Sequence, residues 1–104
     1  MRGLVRVSLL GTLVACGSKA REPRTHQVEI RAMQYVPAEL TVAAGDTIVW
    51  TNTDIVPHTV TAIGTLDSQQ IDSKRQWQTV VMTKGELSYG CTFHPTMHGK
   101  LVVR

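Results

Sequence analysis

The sequence predicts an all-β domain, an antiparallel Greek-key β-sandwich of about seven or eight strands. Apolar and polar residues alternate with a period of two from residue 28 onward. Glycine, aspartate and proline interrupt these runs at intervals typical of tight turns. No window carries the apolar stripe of a sustained amphipathic helix. Short strands joined by tight turns favour two packed sheets.

The predicted strands follow the alternating runs in chain order. They lie near residues 28–34, 40–43, 46–53, 58–63, 77–82, 86–92 and 99–103, with an irregular connection at 64–76. The segment TIVWTN at 47–52 is rich in β-branched and aromatic residues, as buried strands are. The segments AAGD at 43–46 and TKGE at 83–86 indicate turns, because glycine and aspartate favour turn conformations.

The first 15 residues have the layout of a secretory signal peptide. Two basic residues, Arg2 and Arg6, precede an apolar run at residues 7–15. That run is too short to span a membrane as a permanent helix. The pattern predicts an exported protein, located in the periplasm or on the cell-envelope side of a membrane.

The apolar run ends in LVAC, which resembles the lipobox of bacterial lipoproteins. The resemblance implies that Cys16 becomes the first residue of the mature protein and carries a lipid anchor. Cleavage of an ordinary signal nearby is the alternative. Residues 16–27 are polar and contain proline, which predicts a flexible tether before a folded domain at residues 28–104. A disulfide between Cys16 and Cys91 is the other alternative, and it would tie a loop of the domain to the tether.

The charge balance excludes one class of partner. The chain has 11 Lys and Arg residues against 8 Asp and Glu residues. Two of the bases, Arg2 and Arg6, belong to the predicted signal, so the mature chain is nearly neutral. The sequence has no basic stripe with interleaved aromatic residues, and nucleic acid is therefore not a predicted partner. We expect the domain to be a monomer.

A cluster of soft metal ligands lies near the end of the chain. The segment YGCTFHPTMHG at 89–99 places Cys91, His94 and Met97 in the spacing Cys-x-x-His-x-x-Met, and His58 lies upstream at the start of a predicted strand. Thiolate, thioether and imidazole donors favour a soft or borderline metal over magnesium or calcium. Two imidazoles and a thiolate with a distant thioether form the donor set of blue copper sites. Zinc is the competitor, although zinc sites rarely use methionine.

The spacing also has a mechanical consequence. A strand that ends at Cys91, a turn stiffened by Pro95 and a strand that resumes at Gly99 would bring three side chains of one loop to one point. His58 would approach from a loop at the same end of the sandwich. Fixed ligands let copper change its oxidation state with little rearrangement, which suits electron transfer. Four protein ligands leave no open position for a substrate, so an enzyme is not predicted.

These ligands lie in two segments that resemble one family. YVPAELTVAAGDTIVWTNTDIVPHTV (residues 35–60) and GELSYGCTFHPTMHGKLVV (residues 85–103) are similar to cupredoxins of the plastocyanin and amicyanin type. The likeness extends over residues 28–104, and the ligand loop is most similar to that of amicyanins. It implies a cupredoxin-like sandwich that holds one type 1 copper ion, Cu(I) or Cu(II), and shuttles single electrons between periplasmic or membrane-associated redox partners.

The resemblance also implies roles for individual residues. The four metal ligands would be His58, Cys91 and His94, which bind strongly, and Met97, which binds weakly along the axis. His94 would lie at the solvent edge, where redox partners dock against an apolar patch that includes Pro57 and Pro95.

Thr59 departs from the family pattern, because the residue after the first histidine ligand is commonly asparagine. The backbone amide of Thr59 can still donate to the sulfur of Cys91. Its hydroxyl is predicted to pair with Thr92, a contact that would tune the metal without binding it.

Other residues have plainer expected roles. His98 is predicted to face solvent, and His26 has no assigned role in the predicted tether. Tyr89 is predicted to form a tyrosine corner, in which the hydroxyl bonds to the backbone. Met33 is expected to pack against its neighbours. The expected core or rim aromatic residues are Tyr35, Trp50 and Trp77.

Two other functions compete with electron transfer. A copper chaperone or scavenger would deliver copper to an oxidase, and such proteins commonly use several methionines and histidines at an exposed site. The side chains that could serve that purpose here are Met97, His98, Met33 and Met82. A metal-free sandwich adhesin is the other competing interpretation.

Overall fold

The computed structural model describes residues 21–104, together with Gly3 and Gly11. The rest of the predicted signal peptide lies outside the described residues, as do Cys16 and residues 17–20 of the predicted tether. Nine strands and no helix occur in the part of the chain that the structure describes. That part accordingly holds no helix able to cross a membrane.

The nine strands form a two-layer sandwich. In chain order they are β1 (Thr25–Arg31), β2 (Gln34–Val36), β3 (Glu39–Val42), β4 (Thr47–Asn52), β5 (Thr61–Ala62), β6 (Leu66–Asp67), β7 (Gln76–Val80), β8 (Gly85–Gly90) and β9 (His98–Val103). One sheet has the order β2-β1-β4-β7, and the other has the order β3-β9-β8-β5-β6. The predicted all-β sandwich is confirmed.

Strand direction and strand number differ in detail from the expectation. β1 pairs with β4 in parallel, and so does β3 with β9, whereas the other described pairs are antiparallel. The chain leaves the first sheet after β2, adds β3 to the second sheet and returns as β4. β4 therefore enters beside β1 in the same direction. The count is nine because a corner divides one predicted strand and a short strand lies in the predicted irregular connection.

The predicted strand at 28–34 is divided by a sharp corner. Ala32 and Met33 have φ angles of 49° and 61°, in the left-handed region. The chain reverses there, and Gln34 begins β2 antiparallel to β1. Because the alternating pattern continues through the corner, the pattern alone does not reveal the reversal.

The region after β4 is also more irregular than predicted. The strand expected at 58–63 is reduced to Thr61–Ala62, and His58 forms an isolated bridge with Ile71. The connection at 64–76, expected to be irregular, contains β6. The proline before His58 has no amide hydrogen to donate to a ladder, which favours irregular backbone at this point.

Aromatic side chains fill the space between the sheets. Trp50 and Tyr35 are buried, as predicted for core aromatics, and the indole of Trp50 donates to the Tyr89 hydroxyl at 3.1 Å. The rings of Tyr35 and Tyr89 meet edge to face, with centroids 4.7 Å apart. Full burial of such a side chain contributes about 1.5–3 kcal/mol. The Tyr35 hydroxyl also donates to the carbonyl of Thr59 at 2.6 Å, so this cluster contacts the segment that carries His58.

Tyr89 differs from the predicted tyrosine corner. Among the described residues, its hydroxyl pairs with the Trp50 indole rather than with the backbone. Tyr89 lies opposite Gly99 in the β8–β9 pair, and a Cβ atom at Gly99 would overlap the tyrosine ring. Burial raises the pKa of Tyr89 to about 12, so the hydroxyl stays protonated at neutral pH. Gly99 therefore allows the ring to lie across β9.

Asp46, in the turn before β4, is completely buried. Its carboxylate accepts hydrogen bonds from the Arg21 guanidinium at 3.0 and 3.2 Å and from the Arg24 amide at 2.9 Å. The Nε2 atom of His26 lies 2.8 Å away, and the Ala43 amide donates at 3.0 Å. A buried carboxylate is costly unless such partners satisfy it. We call Asp46 with Arg21, Arg24 and His26 the Asp46 clasp.

Regular structure begins earlier in the chain than the predicted domain boundary at residue 28, because the Asp46 clasp binds residues that precede it. β1 begins at Thr25, which pairs with Thr47 in β4, so the expectation of a tether through residue 27 was wrong for its last residues. His26 also has a structural role that the sequence does not indicate. Its acidic partner lies 20 positions away, and only the parallel pairing of β1 with β4 brings the two together.

We predict that Asp46→Asn lowers stability most at neutral pH and progressively less as the pH falls below about 4. Arg21, the amides of Arg24 and Ala43, and His26 hold the pKa of the Asp46 carboxyl well below its usual range. A carboxyl with a lowered folded-state pKa stabilises the fold above its unfolded pKa of about 4, and this contribution is lost as the pH falls.

The measurement is urea unfolding of both proteins between pH 3 and pH 7. The difference in free energy of unfolding should be largest near pH 7 and should shrink below about pH 4. Asp72→Asn, at an exposed carboxylate, is the matched control and should show little difference. A difference for Asp46→Asn that stays constant with pH would contradict this account.

Candidate metal centre

Three potential metal ligands meet at one end of the sandwich. The ligand atoms of His58, Cys91 and His94 all lie within 4.8 Å of one another. The Sγ atom of Cys91 is 3.9 Å from Nδ1 of His58 and 3.6 Å from Nδ1 of His94. The two imidazole rings have centroids 4.9 Å apart. Residues from distant parts of the sequence therefore present nitrogen and sulfur atoms to one point.

His58 is buried in the irregular segment between β4 and β5. Its amide donates to the Ile71 carbonyl at 3.1 Å, and the Ile71 amide donates back to the His58 carbonyl at 2.8 Å. This two-bond bridge fixes the backbone where no long ladder does. The ring is consequently held inside the protein rather than at the surface.

Cys91 and His94 lie in the tight loop between β8 and β9. The His94 amide donates to the Cys91 carbonyl at 3.4 Å, and the Met97 amide donates to the His94 carbonyl at 3.0 Å. Cys91 is a buried free thiol among the described residues, and His94 is half-buried. Met97 is 2% exposed and lies with Cys91 beneath a shallow surface depression. The loop thus holds the predicted ligands close together, and ligation by Met97 stays a prediction.

Thr59 joins the two ligand segments. Its amide donates to the sulfur of Cys91 at 3.3 Å, and its hydroxyl accepts a hydrogen bond from the Thr92 amide at 2.9 Å. The hydroxyls of Thr59 and Thr92 are 3.3 Å apart, the pairing expected from the sequence, and that of Thr61 is 2.9 Å from Thr59. The contact of Thr61 with Thr59 was not predicted from the sequence, because it depends on the path of the irregular backbone before β5.

Asp54 orients His58 and was not identified from the sequence. Its carboxylate accepts hydrogen bonds from the backbone amides of Ala32 at 2.7 Å and Met33 at 3.0 Å. It also lies 2.8 Å from Nε2 of His58. Burial opposes the charged form, but the bonds from Met33, His58 and Ala32 outweigh it and lower the pKa of the Asp54 carboxyl. With Nε2 directed at Asp54, Nδ1 of His58 faces Cys91, as a metal-ligating histidine requires.

Asn52 braces the segment that carries Asp54 and His58. The buried Asn52 amide group donates to the carbonyls of Val56 at 2.9 Å and Ile71 at 3.0 Å. Its side-chain oxygen accepts the amide of Asp54 at 3.0 Å. The bonds to Val56 and from Asp54 give partners to backbone groups of the irregular segment, and the Ile71 carbonyl accepts a second bond beside the one from the His58 amide.

The donor set and its spacing fit one borderline or soft ion. Metal to nitrogen and metal to sulfur bonds of about 2.0–2.3 Å can span nitrogen to sulfur separations like those between Cys91 and the two histidines. Imidazole and thiolate donors suit copper or zinc and not calcium or magnesium. Two contacts orient the metal-binding atoms. Thr59 donates a hydrogen bond to the Cys91 sulfur, and Asp54 contacts the His58 nitrogen that faces away from Cys91.

Exposed apolar residues flank the clustered donors His58 and His94 in the chain, and the ring of His94 is half-buried. We call this surface the His94 patch, and its residues are Ile55, Val56, Pro57, Phe93 and Pro95, all of which are exposed. Ile55 is 93% exposed and Phe93 is 49% exposed. The adjacent His98 is also exposed, as predicted. The ring centroids of His58 and His94 are 4.9 Å apart, so both flanking segments lie at the metal end, and exposed apolar residues grouped at one end are typical of interaction surfaces.

We predict that Asp54→Ala weakens metal binding about 10- to 100-fold, because removal of a partner that orients a histidine ligand typically has that effect. The affinity for Cu(I) can be measured by competition with a chromophoric chelator. Asp54→Asn keeps an acceptor for His58 and should recover part of the loss. Asp67→Ala removes an exposed carboxylate and serves as the control. Equal affinities of the Asp54→Ala and Asp67→Ala proteins would show that Asp54 does not orient the site.

Comparison with known proteins places this geometry among related folds. The family described as cupredoxin-like domain matches residues 5–103. Amicyanin from Paracoccus denitrificans is 38% identical over 82 residues, which cover 73% of this chain and 63% of the relative. Amicyanin from Paracoccus versutus is 34% identical over 82 residues, covering 73% and 62%. The chain thus spans somewhat less than two thirds of the length of these curated relatives.

A solved structure gives the same result for the fold. The Cu(I) form of an amicyanin variant superimposes with a TM-score of 0.74 at 31% sequence identity, covering 82% of this chain and 87% of that one. A match over this share of the chain extends well beyond the ligand loop.

Proposed function

Because the chain belongs to the cupredoxin-like domain family, we propose that it is a type 1 blue copper protein that carries single electrons between redox partners. The observation that carries this proposal is the convergence of His58, Cys91 and His94 on one point. The similarity to amicyanins supports it, since a matching amicyanin structure is of a Cu(I) form.

The proposed ligands divide into three strong donors and one weak donor. Copper, when bound, supplies a one-electron couple between Cu(I) and Cu(II). Cys91 would provide a thiolate, His58 and His94 would provide the Nδ1 atoms that face its sulfur, and Met97 would provide a thioether. The burial of Met97 and its place at the end of the ligand loop support its role as the weak fourth donor.

The residues around these donors limit how far they can move. Thr59 donates to the Cys91 sulfur from one side, and Asp54 holds the far nitrogen of His58. The Thr92 amide ties the cysteine loop to Thr59. Donors held in this way keep one arrangement in both oxidation states, which lowers the barrier to electron transfer. A set of four protein donors leaves no position for a substrate, which supports a carrier rather than an enzyme.

The His94 patch is the proposed docking surface for the redox partners. His94 is the one half-buried residue of the three clustered donors, so its ring is the short route between the site and the surface. The patch itself carries no charged side chain, and partner choice would then rest on apolar contact.

Location and assembly are proposed from the sequence. The basic, apolar and small-residue order of the first 15 residues supports export, and LVAC supports lipid attachment at Cys16. The protein would then act in the periplasm or at the cell-envelope side of a membrane, as a monomer on a tether.

The decisive test of the copper site is the spectrum of the copper-loaded chain. We expect an intense visible thiolate-to-copper absorption and a narrow copper hyperfine splitting. Cys91→Ser should abolish both, because it removes the thiolate. Cys16→Ser, at the other cysteine of the chain, should leave both unchanged and is the matched control.

Two results would contradict an electron carrier. Absence of the visible band in copper-loaded protein would exclude the blue site. Rapid loss of copper to a chelator, together with binding of one oxidation state only, would favour the chaperone. Native protein that holds no copper and has a melting temperature insensitive to added copper would favour the metal-free adhesin.

We predict that Thr59→Val speeds copper release and lowers stability by about 1 kcal/mol, the typical contribution of one hydrogen bond. The Thr92 amide loses its acceptor, while the Thr59 amide keeps its bond to the Cys91 sulfur. Release into a chelator is measured by the loss of the visible band. Thr79→Val, the same substitution on β7 outside this hydroxyl cluster, is the control. Equal release rates for the two variants would remove any special role of Thr59.

A further inference from the structure

The end of the sandwich opposite to the metal centre is built from three chain segments and the terminal residue of the sequence. The Ala44 amide donates to the Arg104 carbonyl at 2.8 Å, and the Gly45 amide donates to the Val81 carbonyl at 2.7 Å. The Asp46 clasp adds residues 21–24 to the same end. We call this surface the basic pole, and it comprises residues 21–24, 43–46, 80–84 and 104.

β4 sets the distance between the basic pole and the metal centre. Thr47 at its start follows Asp46, and Asn52 at its end braces the segment that carries His58. A strand of six residues spans about 20 Å at about 3.3 Å per residue. The two surfaces therefore lie at opposite ends of the domain.

The basic pole combines free positive charge with exposed apolar side chains. Arg24, Lys84 and Arg104 are exposed, and no ion pair to any of them occurs within residues 21–104. Met82 is 68% exposed and Val80 is 52% exposed. This mixture differs from the His94 patch, which is apolar without charge.

The acidic groups of the pole do not cancel this charge. Asp46 is buried and already paired with Arg21, so it neutralises that guanidinium rather than the three free bases. Glu22 is the other acidic side chain of the pole. The three free basic side chains outnumber the free acidic side chain of Glu22 and the α-carboxylate of Arg104, which leaves a small positive charge, and exposed Met82 adds an apolar contact. Anionic lipid headgroups attract such a surface.

The clasp also decides where the chain reaches the domain. Arg21 and Arg24 are held against Asp46, so the described part of the domain begins at the basic pole. We propose that the basic pole is the membrane-facing surface of the protein and rests on anionic lipid headgroups. The metal centre and the His94 patch then point away from the bilayer. The orientation rests in part on the proposed lipid attachment at Cys16, whereas the attraction to anionic lipid does not.

The test is lysine footprinting of the full, copper-loaded chain on vesicles. Vesicles of phosphatidylglycerol with phosphatidylcholine are compared with vesicles of phosphatidylcholine alone, and acylation of each lysine is quantified by mass spectrometry. On the anionic vesicles the acylation of Lys84 should fall several-fold. Lys74, whose amide bonds to the Asn52 carbonyl near the metal end, should be unaffected.

A matched pair of double variants tests the charge. Lys84→Glu with Arg104→Glu should lower partitioning onto anionic vesicles about 25-fold or more. Each basic residue near an anionic surface raises partitioning about fivefold, and the double variant removes two. Lys74→Glu with Arg75→Glu removes two exposed bases near the metal end and should change partitioning much less.

Each other outcome overturns the proposal. Equal effects of the two double variants would show only non-specific charge attraction. Protection of Lys74 instead of Lys84 would reverse the orientation, and vesicle binding without protection of Lys84 would leave attachment to the lipid anchor alone. Low acylation of Lys84 relative to Lys74 in samples without vesicles would indicate that the basic pole is covered by self-association. The visible copper band, recorded on the same samples, shows separately whether the proposed electron carrier has failed.

Discussion

The hydrogen bond from the Thr59 amide to the Cys91 sulfur joins two segments that are 32 positions apart in the chain. A buried sulfur needs a donor that stays in place, and the neighbouring contacts keep this donor there. The bridge between His58 and Ile71 fixes one segment, and the Thr92 amide secures the other to the Thr59 hydroxyl. These contacts hold the two ligand segments together.

The strands and the ligands were predictable for different reasons. Alternation reports which side chains face the core, and it located most of both sheets, including the central strand at 47–52. The spacing of Cys91, His94 and Met97 is local to one loop, so the sequence displays it directly. The corner at Ala32 and Met33 was missed, because a left-handed backbone leaves no mark on an alternating pattern.

The two carboxylates with the largest structural roles were also missed. Asp46 and Asp54 each collect partners from β1 or from the residues next to it, about 20 positions away in sequence. Such contacts exist only once β1 lies parallel to β4, and single-sequence patterns do not specify that pairing. Asp46 binds the residues at the start of β1, and Asp54 orients a histidine of the metal centre. The long-range polar contacts are therefore the part of the fold that sequence patterns describe least.

The corner at Ala32 and Met33 has a consequence for sequence change. Left-handed backbone costs about 1–2 kcal/mol per residue with a side chain, whereas glycine adopts it readily. Both amides of the corner point at Asp54, and a glycine at position 32 would keep its amide there. Natural drift or design could thus relax this corner without altering a metal ligand. Glycine at this corner would therefore raise stability at a position adjacent to the metal centre, whose own residues tolerate little change.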